Sequence, residues 1–108
     1  MNNDLRIKDK KEFNNILQIG KRIYNENCII YYVNKTKDNS RFGITQVKKY
    51  GKAYQRNKIH RLTREIIRKN KNSFKNTYDY IIIMKKSCIN IKYDQLEKSI
   101  LNLIKERL

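Results

Sequence analysis

The chain has 108 residues, and its 26 lysines and arginines outnumber its 10 aspartates and glutamates, which gives a net charge of +16 at neutral pH. This length suits one domain, residues 1–108, with a modest core, and the charge predicts a polyanionic partner. No run of about 18 apolar residues is present, so we expect no membrane-spanning helix. The first residues lack the apolar segment of a signal peptide, and Cys28 and Cys88 form no paired motif. We therefore expect a cytoplasmic protein with two free, buried or half-buried thiols.

The first predicted element is a short helix over residues 9–19. Asp9 followed by Glu12 resembles a capping box, and Gly20 is a natural stop. The apolar positions share one face, which should pack against a sheet. They are Phe13, Ile16 and Leu17.

Strands follow the first helix. Ile23–Tyr24 can form a short strand. Cys28–Val33 is a β-branched and aromatic run that predicts a strand, and both of its apolar faces should be covered or used for binding. Lys35–Ser40 is polar and predicts a turn. Arg41–Lys48 then alternates apolar and polar residues, and we expect it to return as an antiparallel strand.

A helix with two opposite faces is predicted from about Tyr54 to Lys69. Ile59, Leu62 and Ile66 fall on one stripe at 100° per residue. Glu65 is the only carboxylate between residues 48 and 75, whereas a salt-bridged surface helix would interleave acids. A solvated charged face is the simple alternative, but arginine in a lysine-rich chain favours phosphate binding. The polar face, within roughly 60°, holds Asn57, Arg61, Arg64 and Arg68.

Three segments complete the chain. Asn70–Asn76 is a basic loop, Tyr78–Met84 is an apolar run typical of a central strand, and Lys85–Asn90 is a second loop. Tyr93–Glu106 predicts a final amphipathic helix. The order α-β-β-β-α-β-α predicts an α+β sandwich, a four-stranded sheet packed with helices. The general rule for crossovers predicts a right-handed connection through the arginine-rich helix.

Catalysis by the chain itself has little support. His60 is the only histidine, and the carboxylates form no compact group. Acid–base cleavage of RNA needs a pair of poised groups, and two-metal catalysis needs clustered carboxylates. We therefore expect no catalytic residue and no metal site in this chain, and a contact role for His60.

The segment around the predicted helix resembles the bacterial ribonuclease P protein component, and the element order extends the resemblance over nearly the whole chain. The strand before the helix, with Gly43, also matches. Lys58 and His60 depart from the family pattern, which usually has arginine at the first position and lysine or arginine at the second. The residues that carry the resemblance are Gly51-Lys52-Ala53, Arg56-Asn57-Lys58, Arg61, Arg64 and Glu65.

This resemblance implies a left-handed crossover, in a fold shared with a ribosomal protein domain. It implies a subunit of the ribonucleoprotein that removes the 5′ leader of precursor tRNA by hydrolysing one phosphodiester. The catalytic groups and Mg²⁺ would belong to the RNA subunit. The implied partners are ribonuclease P RNA and precursor tRNA, with no protein partner required and no membrane.

The resemblance also suggests two sets of binding residues. Those expected to bind the RNA subunit are Lys48, Lys49, Lys52, Arg56, Asn57, Lys58, His60, Arg61, Arg64 and Arg68. Those expected to line a cleft for the single-stranded leader are Phe13, Leu17 and Tyr31, where Leu17 replaces an aromatic residue usual in the family. Tyr31 and Tyr32 should point to opposite sheet faces. The alternative is that these rings are simply core residues.

Two other functions fit the composition. A ribosome-associated or ribosome-assembly RNA-binding protein would share the fold and the basic helix but catalyse nothing. A self-sufficient small ribonuclease is disfavoured by the single histidine and the lack of an acidic cluster. The RNA that co-purifies with the chain would distinguish the first alternative from a ribonuclease P subunit.

Overall fold

The computed structural model describes residues 6–7, 9–35, 40–75 and 77–107. The predicted order of elements is confirmed, with bounds within two residues of those expected. Most of the predicted turn at Lys35–Ser40, and Asn76 in the predicted loop, lie outside the described residues. The elements are α1 (Lys10–Ile19), β1 (Lys21–Tyr24), β2 (Cys28–Asn34), β3 (Phe42–Gln46), α2 (Ala53–Lys69), β4 (Tyr78–Met84) and α3 (Tyr93–Arg107), with single 3₁₀ turns at Lys71–Ser73 and Lys86–Cys88.

Helix α1 begins one residue later than predicted, at Lys10, and ends at the predicted Ile19. The Asp9 side chain accepts a hydrogen bond from the Lys11 N–H at 2.9 Å, which satisfies one free amide of the first turn. At the other end, the Gly20 N–H donates to the Ile16 carbonyl at 2.8 Å. Glu12 forms an ion pair with Arg41 at 2.5 Å, so α1 is tied to the segment that leads into β3.

The four strands form one sheet in the order β1-β2-β4-β3. Strand β4 is central, as predicted, and pairs antiparallel with β2 and parallel with β3. The expectation that Arg41–Lys48 forms an antiparallel strand was wrong: the strand is Phe42–Gln46, and it runs parallel to β4. Ile81 and Ile82 of β4 are fully buried. A strand this apolar is favoured in the interior of a sheet, with a paired strand on each of its edges. Strand β4 therefore lies between β2 and β3, and α2 makes the crossover between the parallel pair.

Helices cover both faces of the sheet, in three layers. On one face, α2 and α3 bury Ile66 and Ile100 against Ile82. On the other face, α1 buries Ile16 against Ile81. Tyr32 packs with the first cluster and Tyr31 with the second, which confirms that these rings lie on opposite faces. None of the described helices is long and apolar enough to cross a membrane.

The apolar stripe of α2 is close to the predicted one. Ile59 and Ile66 are buried, but Leu62 is only partly buried. Thr63 and Ile67 complete the stripe, and the Thr63 hydroxyl donates to the Ile59 carbonyl at 2.7 Å, which satisfies the buried oxygen.

The two cysteines are free and buried, as predicted. Burial, with the nearby Cys88 thiol, raises the pKa of Cys28 to about 12. The Cys88 thiol donates to the Asn27 carbonyl at 3.0 Å. Both thiols are therefore inert core groups at neutral pH.

Candidate RNA interface

Helix α2 presents its polar face to solvent. Asn57, Arg61 and Arg68 are exposed, while Arg64 is half-buried beside α1 and the sheet. The lysines of the predicted stripe that precede or begin the helix are exposed as well; they are Lys48, Lys49, Lys52 and Lys58. A continuous basic surface therefore runs from the loop before α2 to its last turn, where it can bind phosphates in series.

The loop before α2 has an unusual backbone. Lys49 has a φ of 58° and Gly51 a φ of 153°, so the chain turns sharply between β3 and the helix. The Gly51 carbonyl accepts a hydrogen bond from Nη1 of Arg56 at 2.7 Å. The Gln55 side chain accepts the Lys52 N–H at 2.8 Å. Arg56 therefore braces this turn with one N–H and keeps its other donors for a ligand.

One arginine of the face has an acidic partner. Arg68 pairs with Glu65 at 2.6 Å, and both side chains are exposed. An exposed pair of this kind is weak and is screened by salt. The guanidinium of Arg68 can therefore exchange its carboxylate for a phosphate oxygen at low cost.

His60 lies where α2 meets the end of β3. Its Nε2 atom is 2.6 Å from Oε1 of Gln46, which can only accept, so the ring donates this bond from Nε2. Burial lowers the pKa of His60 below its ordinary value, and the nearby charges of Arg64 and Arg6 lower it further. His60 is therefore neutral at neutral pH.

A cleft of about 120 Å³ opens between α1, β3 and α2. Phe13, for which the family resemblance implies leader binding, lines this cleft together with His60 and Arg64. Tyr31 and Leu17 belong to the apolar cluster that holds Phe13 against the sheet. One member of the predicted leader-binding set and two members of the predicted RNA-binding set therefore line the same cleft. The residues lining the cleft are Arg6, Ile7, Phe13, Phe42, Gly43, Ile44, His60 and Arg64.

A charged network beneath α1 was missed by the sequence analysis. Asp79 of β4 is buried and forms ion pairs with Arg41 and Lys35, each at 2.8 Å. Arg41 also forms an ion pair with Glu12. Burial alone raises the pKa of Asp79, but the bonds from Arg41 and Lys35 outweigh it and hold the pKa below its ordinary value. The available signal was one acid inside an otherwise apolar strand, since a buried carboxylate requires cationic partners.

The described residues offer no group of three or more His, Cys, Asp or Glu side chains that could hold a metal ion. The donor set thus does not fit a divalent cation bound by these residues alone. These observations define a class: a small basic α+β protein with an arginine-rich helix beside an aromatic cleft, suited to binding RNA.

Comparison with known proteins identifies the family. The ribonuclease P family model matches residues 1–107, and the chain belongs to this family. It is 37% identical over 106 residues to the ribonuclease P protein component of Finegoldia magna, covering 98% of this chain and 93% of that protein. It is 40% identical over 107 residues to that of Mycoplasma mycoides, covering 98% of each chain.

Solved structures of bacterial ribonuclease P proteins have the same fold as this chain. The ribonuclease P protein from Thermotoga maritima superposes with a TM-score of 0.86 at 31% identity, over 95% of this chain and 97% of that one. That from Staphylococcus aureus gives 0.82 at 30%, over 98% and 91%. The chain is thus a protein component of ribonuclease P, a ribonuclease of tRNA processing.

Proposed function

We propose that the exposed face of α2 binds the ribonuclease P RNA while the adjoining cleft receives the single-stranded 5′ leader of precursor tRNA. The observation that carries this proposal is that Phe13, His60 and Arg64 line one cleft. A leader base can stack on an aromatic ring there while its phosphate approaches a guanidinium. The protein would then hold the leader at a fixed place relative to the RNA that it binds.

We propose that the surface is divided between two sets of residues. The RNA-binding set is Lys48, Lys49, Lys52, Arg56, Asn57, Lys58, His60, Arg61, Arg64 and Arg68. The leader-binding set is Phe13, Leu17 and Tyr31. His60 and Arg64 lie at the boundary between the sets and can contact either RNA.

Hydrolysis of the phosphodiester is proposed to depend on Mg²⁺ held mainly by the RNA subunit. The charge of +16 on residues 1–108 would offset the repulsion between two RNAs and so lower the Mg²⁺ concentration that assembly requires. In this proposal the chain works as a single domain in the cytoplasm, with RNA partners and no required protein partner.

The test compares precursor and mature tRNA, which share the tRNA body and differ in the leader. The enzyme is reconstituted from the chain and a ribonuclease P RNA at low Mg²⁺, and the affinity for each tRNA is measured. Phe13→Ala and Tyr31→Ala should weaken binding of the precursor, with about 1 to 3 kcal/mol at stake per stacked base. Binding of mature tRNA should change little.

Tyr32 provides a matched control. It is the neighbour of Tyr31 in β2 and is also partly buried, but it packs on the opposite face of the sheet. Tyr32→Ala should therefore cost stability without changing the difference between precursor and mature tRNA. Equal weakening of both tRNAs by Phe13→Ala and Tyr31→Ala would show that these rings are core residues and that the leader binds elsewhere.

A further inference from the structure

A second aromatic feature lies on the edge strand β1. Tyr24 is 53% exposed, although tyrosine is a large ring that usually finds cover. The guanidinium of Arg22 lies 5.5 Å from the centre of this ring, and the ammonium of Lys85 lies 5.4 Å from it. We call Arg22, Tyr24 and Lys85 the edge platform.

The edge platform lies on the sheet face that carries the leader cleft. Ile23 is buried in the core beneath α2 and α3, so its neighbours Arg22 and Tyr24 point to the face of α1. Arg22 stands directly opposite Tyr31 in the β1–β2 register. Side chains opposite each other in an antiparallel pair lie about 5 Å apart at Cβ. Tyr31, Arg22 and Tyr24 therefore form a continuous path towards the edge of the sheet.

Lys85 is held in place before any ligand arrives. Its ammonium donates to the Asn25 carbonyl at 2.7 Å, and its backbone N–H donates to the Asn27 carbonyl at 2.9 Å. Within the described part of the chain, no carboxylate forms an ion pair with Arg22 or Lys85. Two cations therefore flank an exposed ring, and no described carboxylate competes with a ligand for them. Because Lys85 is already held in place, binding an anion costs little side-chain entropy.

We propose that the edge platform binds one unpaired nucleotide of the precursor leader, further from the cleavage site than the nucleotides in the cleft. The base would stack on Tyr24, and the flanking phosphates would meet Arg22 and Lys85. This inference rests on the proposed leader-binding function and extends it to the sheet edge opposite β3 and the arginine-rich helix. Because every base has a stacking face, the site tolerates any sequence and selects for leader length.

The experiment uses the reconstituted enzyme with precursors whose leaders are lengthened one nucleotide at a time. In the wild-type protein, affinity should rise at short lengths as the cleft fills and rise again when the leader reaches the edge platform. Tyr24→Ala should remove the second rise alone, a loss of roughly 5- to 150-fold for long leaders. Tyr24→Phe should retain it, because the ring is kept.

Tyr54→Ala is the matched control, since Tyr54 is also exposed, at 66%, but lies at the start of α2. Any effect of this variant should be the same at every leader length. If the wild-type protein gains no affinity from a leader at all, the proposed function fails. If it gains affinity in two steps and Tyr24→Ala keeps both, the proposed function stands and the edge platform is refuted. The edge platform would likewise be refuted if Tyr24→Ala lowered thermal stability but kept both rises in affinity. The contacts of Tyr24 with the two cations would then only stabilise the fold.

Discussion

The ring of Phe13 in α1 lies directly over Gly43 in β3. A β-carbon on Gly43 would stand 2.7 Å from Cε2 of Phe13 and 3.1 Å from Cδ2, closer than side-chain atoms normally approach. Gly43 thus leaves the space that the ring fills, and it also lines the cleft proposed for the leader. The position of the ring depends on the absence of a side chain on the strand below it.

We therefore expect Gly43→Ala to displace Phe13 and to weaken precursor binding, while mature tRNA binding changes little. Overpacking of this kind costs about 1 to 3 kcal/mol of folding stability. The check is a double-mutant cycle with Phe13→Ala, measured by precursor affinity and by urea unfolding. Because the clash involves the Phe13 ring, the losses should be strongly non-additive. Additive losses would mean that Gly43 acts independently of Phe13.

Arg61 provides the clearest test of the basic face of α2, because its side chain is exposed. Arg61→Ala should leave the fold intact and reduce the slope of log affinity for RNA against log salt by roughly 0.7 to 0.9, the change expected for one lost phosphate contact. Arg64→Ala and Arg68→Ala should act in the same direction. An unchanged salt slope in all three variants would contradict the proposed RNA-binding face.

The control for that series is a residue on the opposite side of α2. Ile66 is fully buried, so Ile66→Ala should cost about 2 to 5 kcal/mol of unfolding free energy and leave the salt slope of the folded fraction unchanged. Leu62→Ala should cost less, since Leu62 is only partly buried.

His60 is expected to be a contact residue with no part in the chemical step. The reconstituted enzyme with His60→Gln should keep most of its cleavage rate. A loss of three orders of magnitude in cleavage with RNA binding unchanged would instead identify a catalytic group.

The lowered pKa of His60 also makes a prediction about stability. The unfolded chain takes up a proton near the ordinary pKa of 6.5, whereas the folded chain takes it up only at lower pH. Stability should therefore fall as the pH drops through 6.5, until the folded pKa is passed. Urea unfolding between pH 8 and pH 5 should show that this part of the pH dependence is lost in His60→Gln.

The elements that the sequence predicted well have strong local patterns. Strand β4 is apolar on both faces, and α2 and α3 repeat their apolar residues at helical spacing, so local sequence determines their type and burial. The partner of β3 could not be predicted in this way. Pairing of β3 with β4 spans the whole of α2, and a local hairpin with β2 fits the same alternation of residues.

In the candidate site, too, features within one helix could be predicted from the sequence, whereas contacts between different elements could not. Helical spacing was sufficient to place Arg61 and Arg68 together on α2. The contact of His60 with Gln46, and the approach of Phe13 to Arg64, depend on how α1 and α2 pack around β3. Tyr24 gave no sequence signal, because a strand of four residues is too short for its alternation to assign a face.

Asp79 is a buried carboxylate that forms ion pairs with Arg41 and Lys35. Asp79→Asn removes the charge that Arg41 and Lys35 share, while the amide oxygen can still accept a bond. Because the site is buried, we expect a loss of about 1 to 3 kcal/mol at neutral pH. The folded pKa of Asp79 lies below its ordinary value of 3.8, so its contribution is complete above that value and is lost as the pH falls through the folded pKa. Urea unfolding should therefore show a gap between wild type and Asp79→Asn that is largest near pH 7 and narrows towards pH 2. A gap that stays constant over this range would mean that the aspartate acts through its shape and neutral hydrogen bonds, and that its charge contributes nothing.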